Sequence, residues 1–294
     1  MEISKVGVVG CGLMGHGIAQ IAAQAGYDVV VREVDQERLD KGLGRIDKQL
    51  ARAVQKEKIE ESEAKAVRER IQGTLDYGDL ADCDLVVEAI TESLERKLEM
   101  WRELDEIVKE GAVLATNTSS LSVIEQAAAT KRPNRFVGLH FFNPPQIMPL
   151  LEVVQTVTTD EESLKTGFEL GEKLGKVTVH AKDKTGFVVN RLLVPYMLDA
   201  IRAYEEGVGS IEQIDAAMKA GANHPMGPFT LLDFVGLDTT KAIADIMFDE
   251  YRERRFAAPP TLRKMVAAGF FGTKSGRGFY DYSGEKPVAV DPGL

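Results

Sequence analysis

The stretch Val6-Gly7-Val8-Val9-Gly10-Cys11-Gly12-Leu13-Met14-Gly15-His16-Gly17 constrains this chain more than any other. An apolar run from Ile3 to Val9 ends in Gly10-x-Gly12-x-x-Gly15, and a helical pattern follows through Ala19, Ala22 and Ala23 to Gly26. The order strand, tight turn, helix is what a dinucleotide-binding unit requires. Gly10 permits the turn, Gly12 lets backbone approach a pyrophosphate, and Gly15 lets the helix pack against the strand. Backbone N–H groups and the dipole at the helix N-terminus attract the anion. A second strand, Tyr27-Asp28-Val29-Val30-Val31, leads to Glu33. That acid stands about 20 residues past Gly12, the spacing expected of a residue that holds a ribose. Such an acid repels a 2′-phosphate, although Arg32 beside it is a residue type that accommodates one.

The 294 residues suggest about two domains. A formal net charge of −10 argues against general binding to nucleic acid or to an anionic membrane surface, so phosphates must be met by local features. Cys11 and Cys83 follow no metal-ligand spacing and read as free thiols of a reducing compartment, which points to the cytoplasm. No run is long and apolar enough to span a membrane, and with the first strand starting at Ile3 neither a signal nor a transit peptide is expected.

Residues 36–71 are charged, with apolar positions three or four apart, and read as a helical hairpin standing off the sheet, turning at Lys56-Glu57-Lys58. The sheet resumes with strands at 84–90, 112–116 and 136–140, separated by helices at 94–108 and 121–129. Ligands of an open parallel sheet bind beyond the carboxyl ends of its strands. Glu33, Glu92, Asn117, Ser119 and His140, each at or just past a strand end, should therefore line one crevice. Pro144 and Pro145 force an extended turn after His140. Glu152 then stands alone in the apolar run Leu150–Val154, and a buried carboxylate needs a partner, for which a histidine is suited. A helix at 162–174 and a strand at 176–181 complete this half, giving boundaries of 1–183 and 184–294. The second half opens with a long helix from Phe187 to about Glu205 that Pro195 should kink, followed by further helices and the glycine-rich segment Gly272–Tyr280, which carries Lys274.

Several blocks occur together: Gly10-x-Gly12-x-Met14-Gly15-x-Gly17-Ile18-Ala19, Val87-Glu88-Ala89-Ile90-x-Glu92, Asn117-Thr118-Ser119-Ser120-Leu121 and His140-Phe141-Phe142-Asn143-Pro144. They continue in Gly186-Phe187-x-Val189-Asn190-Arg191, Pro225-Met226-Gly227-Pro228, Gly236-Leu237-Asp238 and Gly276-x-Gly278-Phe279-Tyr280. With these the chain resembles the L-3-hydroxyacyl-CoA dehydrogenase family, of the 3-hydroxybutyryl-CoA dehydrogenase type, over nearly its whole length. The resemblance implies an α/β fold: a Rossmann-type doubly wound sheet with an inserted helical hairpin, then an all-α C-terminal domain that forms a homodimer. It implies NAD as cofactor, held at Gly10, Gly12, Leu13, Met14 and Gly15, with Glu33 in place of a ribose-binding acid that is more often Asp. Glu92, Lys97, Ser119, Asn143 and Lys274 resemble further NAD contacts. His140 resembles the catalytic base and Glu152 the acid that orients it, while Ser119 and Asn190 resemble residues that hold the substrate's reacting oxygens. Lys56 resembles a lysine that meets coenzyme A, and Gln49 stands where relatives carry Ser.

Two other readings compete. One keeps fold and cofactor but acts on a free hydroxy acid such as a sugar acid. The other is a non-enzymatic, lens-type protein, which predicts an eroded dyad, yet His140 and Glu152 are both present. Read from residue types alone, Lys56 and Lys97 are surface lysines of the kind usually solvated, and Asn190 is a helix N-cap as readily as a ligand contact.

Overall fold

A computed structural model of the chain describes residues 3–292. The chain divides into two compact units, Met1–Lys184 and Thr185–Leu294, one residue later than the sequence boundary.

The first unit follows the order β1 Lys5–Val9, α1 Gly15–Gln24, β2 Asp28–Arg32, α2 Gln36–Gln55, α3 Glu61–Glu69 and β3 Ile71–Thr74. It continues with β4 Leu85–Glu88, α4 Leu94–Ile107, β5 Val113–Thr116, α5 Val123–Ala127, β6 Phe136–Phe141, β7 Leu150–Gln155, α6 Glu161–Lys173 and β8 Val177–Lys182. The strands form one sheet in the order β3-β2-β1-β4-β5-β6-β7-β8. β1 to β6 are parallel, and the order reverses direction at β1, between β2 and β4. The central strands are buried on both faces, which is why β1, β4 and β5 read as apolar runs.

The hairpin reading needs correction. α2 does not stand off the sheet: Leu39, Gly42, Ile46 and Leu50 form its buried stripe and join the sheet's own core with Val67 of α3. Gly42 is packed so closely that a Cβ there would lie 2.4 Å from the Cys11 carbonyl oxygen. α3 leads into β3, an edge strand that the sequence reading missed, because Gln72 and Gly73 are exposed and interrupt the apolar pattern. β7 runs antiparallel to β6. That reversal sets Glu152 directly opposite His140 in the strand register.

The second unit holds α7 Val189–Glu205, α8 Ile211–Ala222, α9 Pro228–Val235, α10 Leu237–Tyr251 and α11 Pro260–Ala267, with a small antiparallel pair, β9 Tyr280–Asp281 and β10 Val288–Ala289. Its core gathers Leu198, Phe229, Leu232, Met247, Phe256 and Phe279. α7 starts at Val189 rather than Phe187, because Gly186 and Phe187 both have positive φ and cannot continue a helix. Asn190 is then the second helical residue and not the N-cap, which is Val188. Among the described residues no helix is long and apolar enough to cross a membrane, and no group of three or more His, Cys, Asp or Glu side chains could hold a metal ion.

Candidate active site

The glycine turn is built by contact. Gly10 has φ +96, and a Cβ on it would lie 2.7 Å from the Ala89 carbonyl oxygen. A Cβ on Gly15 would lie only 1.7 Å from the Gly10 oxygen, so helix and turn could not close with any side chain there. Gly12 differs: a Cβ would meet nothing within 4 Å, so nothing inside the protein requires glycine at that position. The backbone N–H groups of Gly12, Leu13 and Met14 donate to no acceptor among the described residues, and Leu13 is 62% exposed. Open space above Gly12 and a ring of undirected N–H donors at a helix N-terminus fit a dinucleotide pyrophosphate. His16 supports the turn from within. Its Nδ1 lies 2.7 Å from the Gly12 oxygen, its Nε2 faces Gln49 of α2, and burial pushes its pKa down.

Glu33, just past β2, accepts from the Cys11 N–H at 2.9 Å and the Val34 N–H at 2.8 Å, which fixes the carboxylate beside the glycine turn. Arg32 is turned elsewhere. Its guanidinium lies 3.9 Å from the Tyr77 ring centroid and its Nε donates to the Leu75 carbonyl. The Cys11 thiol is pushed up to about 12 by burial and by the Glu33 charge, so it stays protonated.

At the ends of β4 and β5 lies a polar network. Glu88, fully buried, accepts from Lys97 Nζ at 2.8 and 2.9 Å, from Thr116 Oγ1 at 2.6 Å and from the Ile90 N–H at 2.7 Å. Lys97 also pairs with Glu92 at 3.0 Å. Glu92 in turn accepts from Thr118 Oγ1, from the Ser119 N–H at 3.2 Å and from Ser120 Oγ at 3.3 Å. Burial raises the Glu92 pKa, but the Lys97 charge and these hydrogen bonds outweigh it and hold the carboxyl below its usual range. The reading of Lys97 as a surface lysine is overturned: its side chain is 1% exposed. It occupies the first place of α4's buried stripe, with Met100, Trp101 and Leu104 on the following turns. Sequence reasoning also missed Glu88. The signal was there, a carboxylate closing an apolar buried strand, the argument that singled out Glu152.

His140 and Glu152 complete this end of the sheet. Nδ1 of His140 lies 2.6 Å from Oε2 of Glu152, which is fully buried. The His140 ring is buried as well and tilts against Phe142 at 4.5 Å. Asn117, past β5, accepts from the Phe141 N–H at 2.9 Å and so ties the Ser119 turn to the strand that carries His140. Ser119 is half-buried, and its hydroxyl has no partner among the described residues. Asn143 is exposed, in the turn containing the cis Asn143–Pro144 peptide. Of the four histidines, His140 alone pairs with a carboxylate among the described residues. His180 meets Gln155, and His224 meets the Tyr196 hydroxyl. Lys56 caps the C-terminus of α2 and is exposed.

The remaining candidates belong to the second unit. Asn190 lies in the first turn of α7, half-buried. Lys274 sits in a short turn, its ammonium against Asp238 and near Thr239 at the start of α10.

A dinucleotide turn, a ribose-directed acid and a buried His–Glu pair at the strand ends define a dehydrogenase of the nicotinamide class. Comparison with known proteins gives the family. Residues 5–184 match the model of the 3-hydroxyacyl-CoA dehydrogenase NAD binding domain, and residues 186–282 that of the 3-hydroxyacyl-CoA dehydrogenase C-terminal domain. The chain is 49% identical over 282 residues to a 3-hydroxybutyryl-CoA dehydrogenase of Mycobacterium tuberculosis, covering 95% of this chain and 99% of that one. It is 46% identical to the human mitochondrial hydroxyacyl-coenzyme A dehydrogenase, covering 95% and 91%. Its structure superposes on that of (S)-3-hydroxybutyryl-CoA dehydrogenase from Ralstonia eutropha with a TM-score of 0.93 at 40% identity, covering 96% and 100%. The chain belongs to the 3-hydroxyacyl-CoA dehydrogenase family and is an NAD-dependent oxidoreductase.

Proposed function

We propose that this enzyme oxidises (S)-3-hydroxyacyl-CoA, with 3-hydroxybutyryl-CoA as the substrate of choice, to the 3-oxoacyl-CoA, and runs the reverse reaction. The observation that carries the reading is the cross-strand pair His140–Glu152 at the end of the sheet where ligands bind. With Nδ1–H directed at Glu152, Nε2 of the neutral imidazole holds the lone pair that takes the proton of the 3-hydroxyl. The buried Glu152 carboxylate fixes ring and tautomer and stabilises the imidazolium as it forms, the role such an acid has in related dyads. The Ser119 hydroxyl would hold a reacting oxygen, and the family resemblance assigns Asn190 to the substrate. NAD+ supplies the hydride acceptor when bound. Gly10, Gly12, Leu13, Met14 and Gly15 would hold its pyrophosphate and Glu33 a ribose, and the family resemblance assigns further contacts to Glu92, Lys97, Ser119, Asn143 and Lys274. Lys56 meets coenzyme A. Carboxylate charge at Glu33, with Arg32 committed to Tyr77, supports NAD(H) over NADP(H).

The helical unit is the dimer-forming one in this reading. It exposes Leu192 at 71%, Val208 at 73% and Phe234 at 59%, apolar side chains that a partner subunit would cover. The two buried free thiols suit the reducing cytoplasm.

The test is a steady-state assay with acetoacetyl-CoA and 3-hydroxybutyryl-CoA, run with NADH or NADPH and their oxidised forms, beside a panel of free hydroxy acids. Turnover confined to the CoA thioesters is expected. A higher kcat/KM on a free acid would overturn the substrate class. That comparison matters because a diketoreductase shares the fold at 29% identity and a TM-score of 0.84.

A further inference from the structure

The glycine block leaves position 16 open, as Gly15-x-Gly17, and the proposed chemistry does not use His16. In this chain the position holds a buried polar side chain, the second residue of α1. Nδ1 of the ring lies 2.7 Å from the Gly12 carbonyl oxygen, an atom that can only accept, so Nδ1 carries the proton. Burial holds the pKa of His16 below its ordinary value, so at neutral pH the imidazole is neutral and Nε2 is an acceptor. The amide nitrogen of Gln49, a donor on α2, faces Nε2 at 3.4 Å and matches that tautomer. α2 is also seated on the turn itself, since Gly42 packs against the Cys11 carbonyl.

The consequence lies on the other side of the peptide. The Gly12 carbonyl is held against α1 by the His16 ring and, at 3.4 Å, by the His16 N–H. The Gly12–Leu13 peptide is trans, and across a trans peptide the C=O and the next N–H point in opposite directions. Holding the carbonyl inward therefore turns the Leu13 N–H outward, where it donates to no acceptor among the described residues and where Leu13 is exposed. Without the ring, the Gly12 oxygen keeps only the 3.4 Å bond, longer than the usual range for N–H···O, and a glycine leaves the peptide free to rotate. We propose that His16 is a positioning residue for the cofactor: it clamps the Gly12 carbonyl and so aims the Leu13 N–H at the pyrophosphate, with Gln49 holding the ring's tautomer. The proposal rests on the reading of the Gly12 turn as the pyrophosphate site.

The experiment measures NADH affinity by fluorescence titration, together with the melting temperature, in H16N, H16Q, H16A and G12A. Asparagine carries its amide nitrogen on Cγ, as histidine carries Nδ1, and can donate to the Gly12 oxygen in its place. Glutamine is closer to histidine in size, but its amide nitrogen stands one atom further out, at the reach of Nε2. H16A and H16Q should weaken NADH binding by about tenfold, the loss expected from one misaimed donor to a phosphate, while H16N should stay within about threefold of wild type. A ring that only fills space gives the reverse order: glutamine, nearer in volume, would be tolerated better than asparagine, and the losses would follow the melting temperature. NADH affinity in H16Q equal to or above that in H16N overturns the proposal, and so does wild-type affinity in H16A. G12A tests the underlying reading. NADH bound by G12A as by wild type would remove the turn from the cofactor, and the proposal would fall with it. Weakened binding in G12A, with H16N and H16Q alike, would leave the turn in place and overturn only the role of His16. If H16A does not fold, the comparison of H16N with H16Q, read well below both melting transitions, carries the test.

Discussion

Glu152→Gln is the most informative single change in the dyad. Glutamine keeps the length and one carbonyl-type acceptor for the His140 Nδ1–H and removes only the charge. The oxygen that faces Nδ1 at 2.6 Å belongs to a side chain without solvent exposure, so no water screens the interaction. A hydrogen bond to a charged partner contributes about 1.5–3 kcal/mol. At ~1.36 kcal/mol per factor of ten, losing it as the imidazolium forms corresponds to roughly 10- to 150-fold in turnover. His140→Gln removes the proton carrier itself and should cost about 10²- to 10⁴-fold. NADH affinity should hold in both variants, because neither side chain is assigned to the cofactor. The assay follows NADH absorbance in both directions of the reaction. His140→Gln turnover within about threefold of wild type, a difference below ~1 kcal/mol, would refute the acid–base role.

The glycine turn separates binding from folding. Gly12→Ala should leave the melting temperature unchanged and weaken NADH binding, whereas Gly15→Ala should destabilise the fold, since its Cβ would lie 1.7 Å from the Gly10 oxygen. Equal melting temperatures for the two variants would contradict that geometry. Glu33→Ser should raise the KM for NADH and narrow the gap to NADPH, and an unchanged ratio of the two kcat/KM values would remove Glu33 from cofactor selection. Light scattering should give a dimer of the 32.2 kDa chain at micromolar concentration, and a monomer there would exclude the proposed assembly. Asp84 tests acid stability. Burial raises its pKa, but the Lys109 ammonium and the Ser4 and Lys5 N–H groups outweigh that and bring it down to about 2. Its contribution is present above the unfolded value of ~3.9 and lost as pH falls toward the folded one. Asp84→Asn should therefore flatten the decline in stability across that window, and an unaltered acid-unfolding slope would disprove it.

Much of the first unit was legible in the sequence because glycine spacing and apolar runs report backbone demands directly. Strand ends place Glu33, Asn117, Ser119 and His140 at one end of the sheet. Direction was harder to read. Nothing in Leu150–Gln155 distinguishes a strand running antiparallel from one running parallel, yet only the antiparallel choice puts Glu152 across from His140. β3 was lost because an exposed edge strand with a glycine lacks the apolar signal of its neighbours. Lys97 was misjudged for a different reason. Lysine is almost never fully buried unless it is paired, and its partners, Glu88 and Glu92, stand nine and five positions away across a strand-to-helix turn that spacing alone does not fold.

The geometry also explains how chemistry and cofactor binding are kept in step within the first unit. The dyad stands on two hydrogen-bonded strands, the stiffest support the sheet offers, while the cofactor turn is backbone alone. Two connections tie the segment around His140 to its neighbours. Asn117 fixes the Phe141 N–H, next to His140, from the end of β5. The turn after β6 reaches the other way, where Gln146 Nε2 donates to Gln20 of α1 at 3.3 Å. It reaches there because Gly17 has no side chain, since a Cβ would lie 2.8 Å from the Gln146 amide. Gly17 is therefore not part of the pyrophosphate turn, although it extends the glycine series in sequence. It is the place where the helix that begins at the cofactor admits the segment that follows the catalytic histidine. A side chain there would displace the end of Gln146 and break its bond to Gln20, while leaving Gly10, Gly12 and Gly15 untouched. The fourth glycine of the motif thus makes room for the segment that follows the catalytic histidine, whereas Gly10 and Gly15 let the turn close and Gly12 alone is left open toward the cofactor.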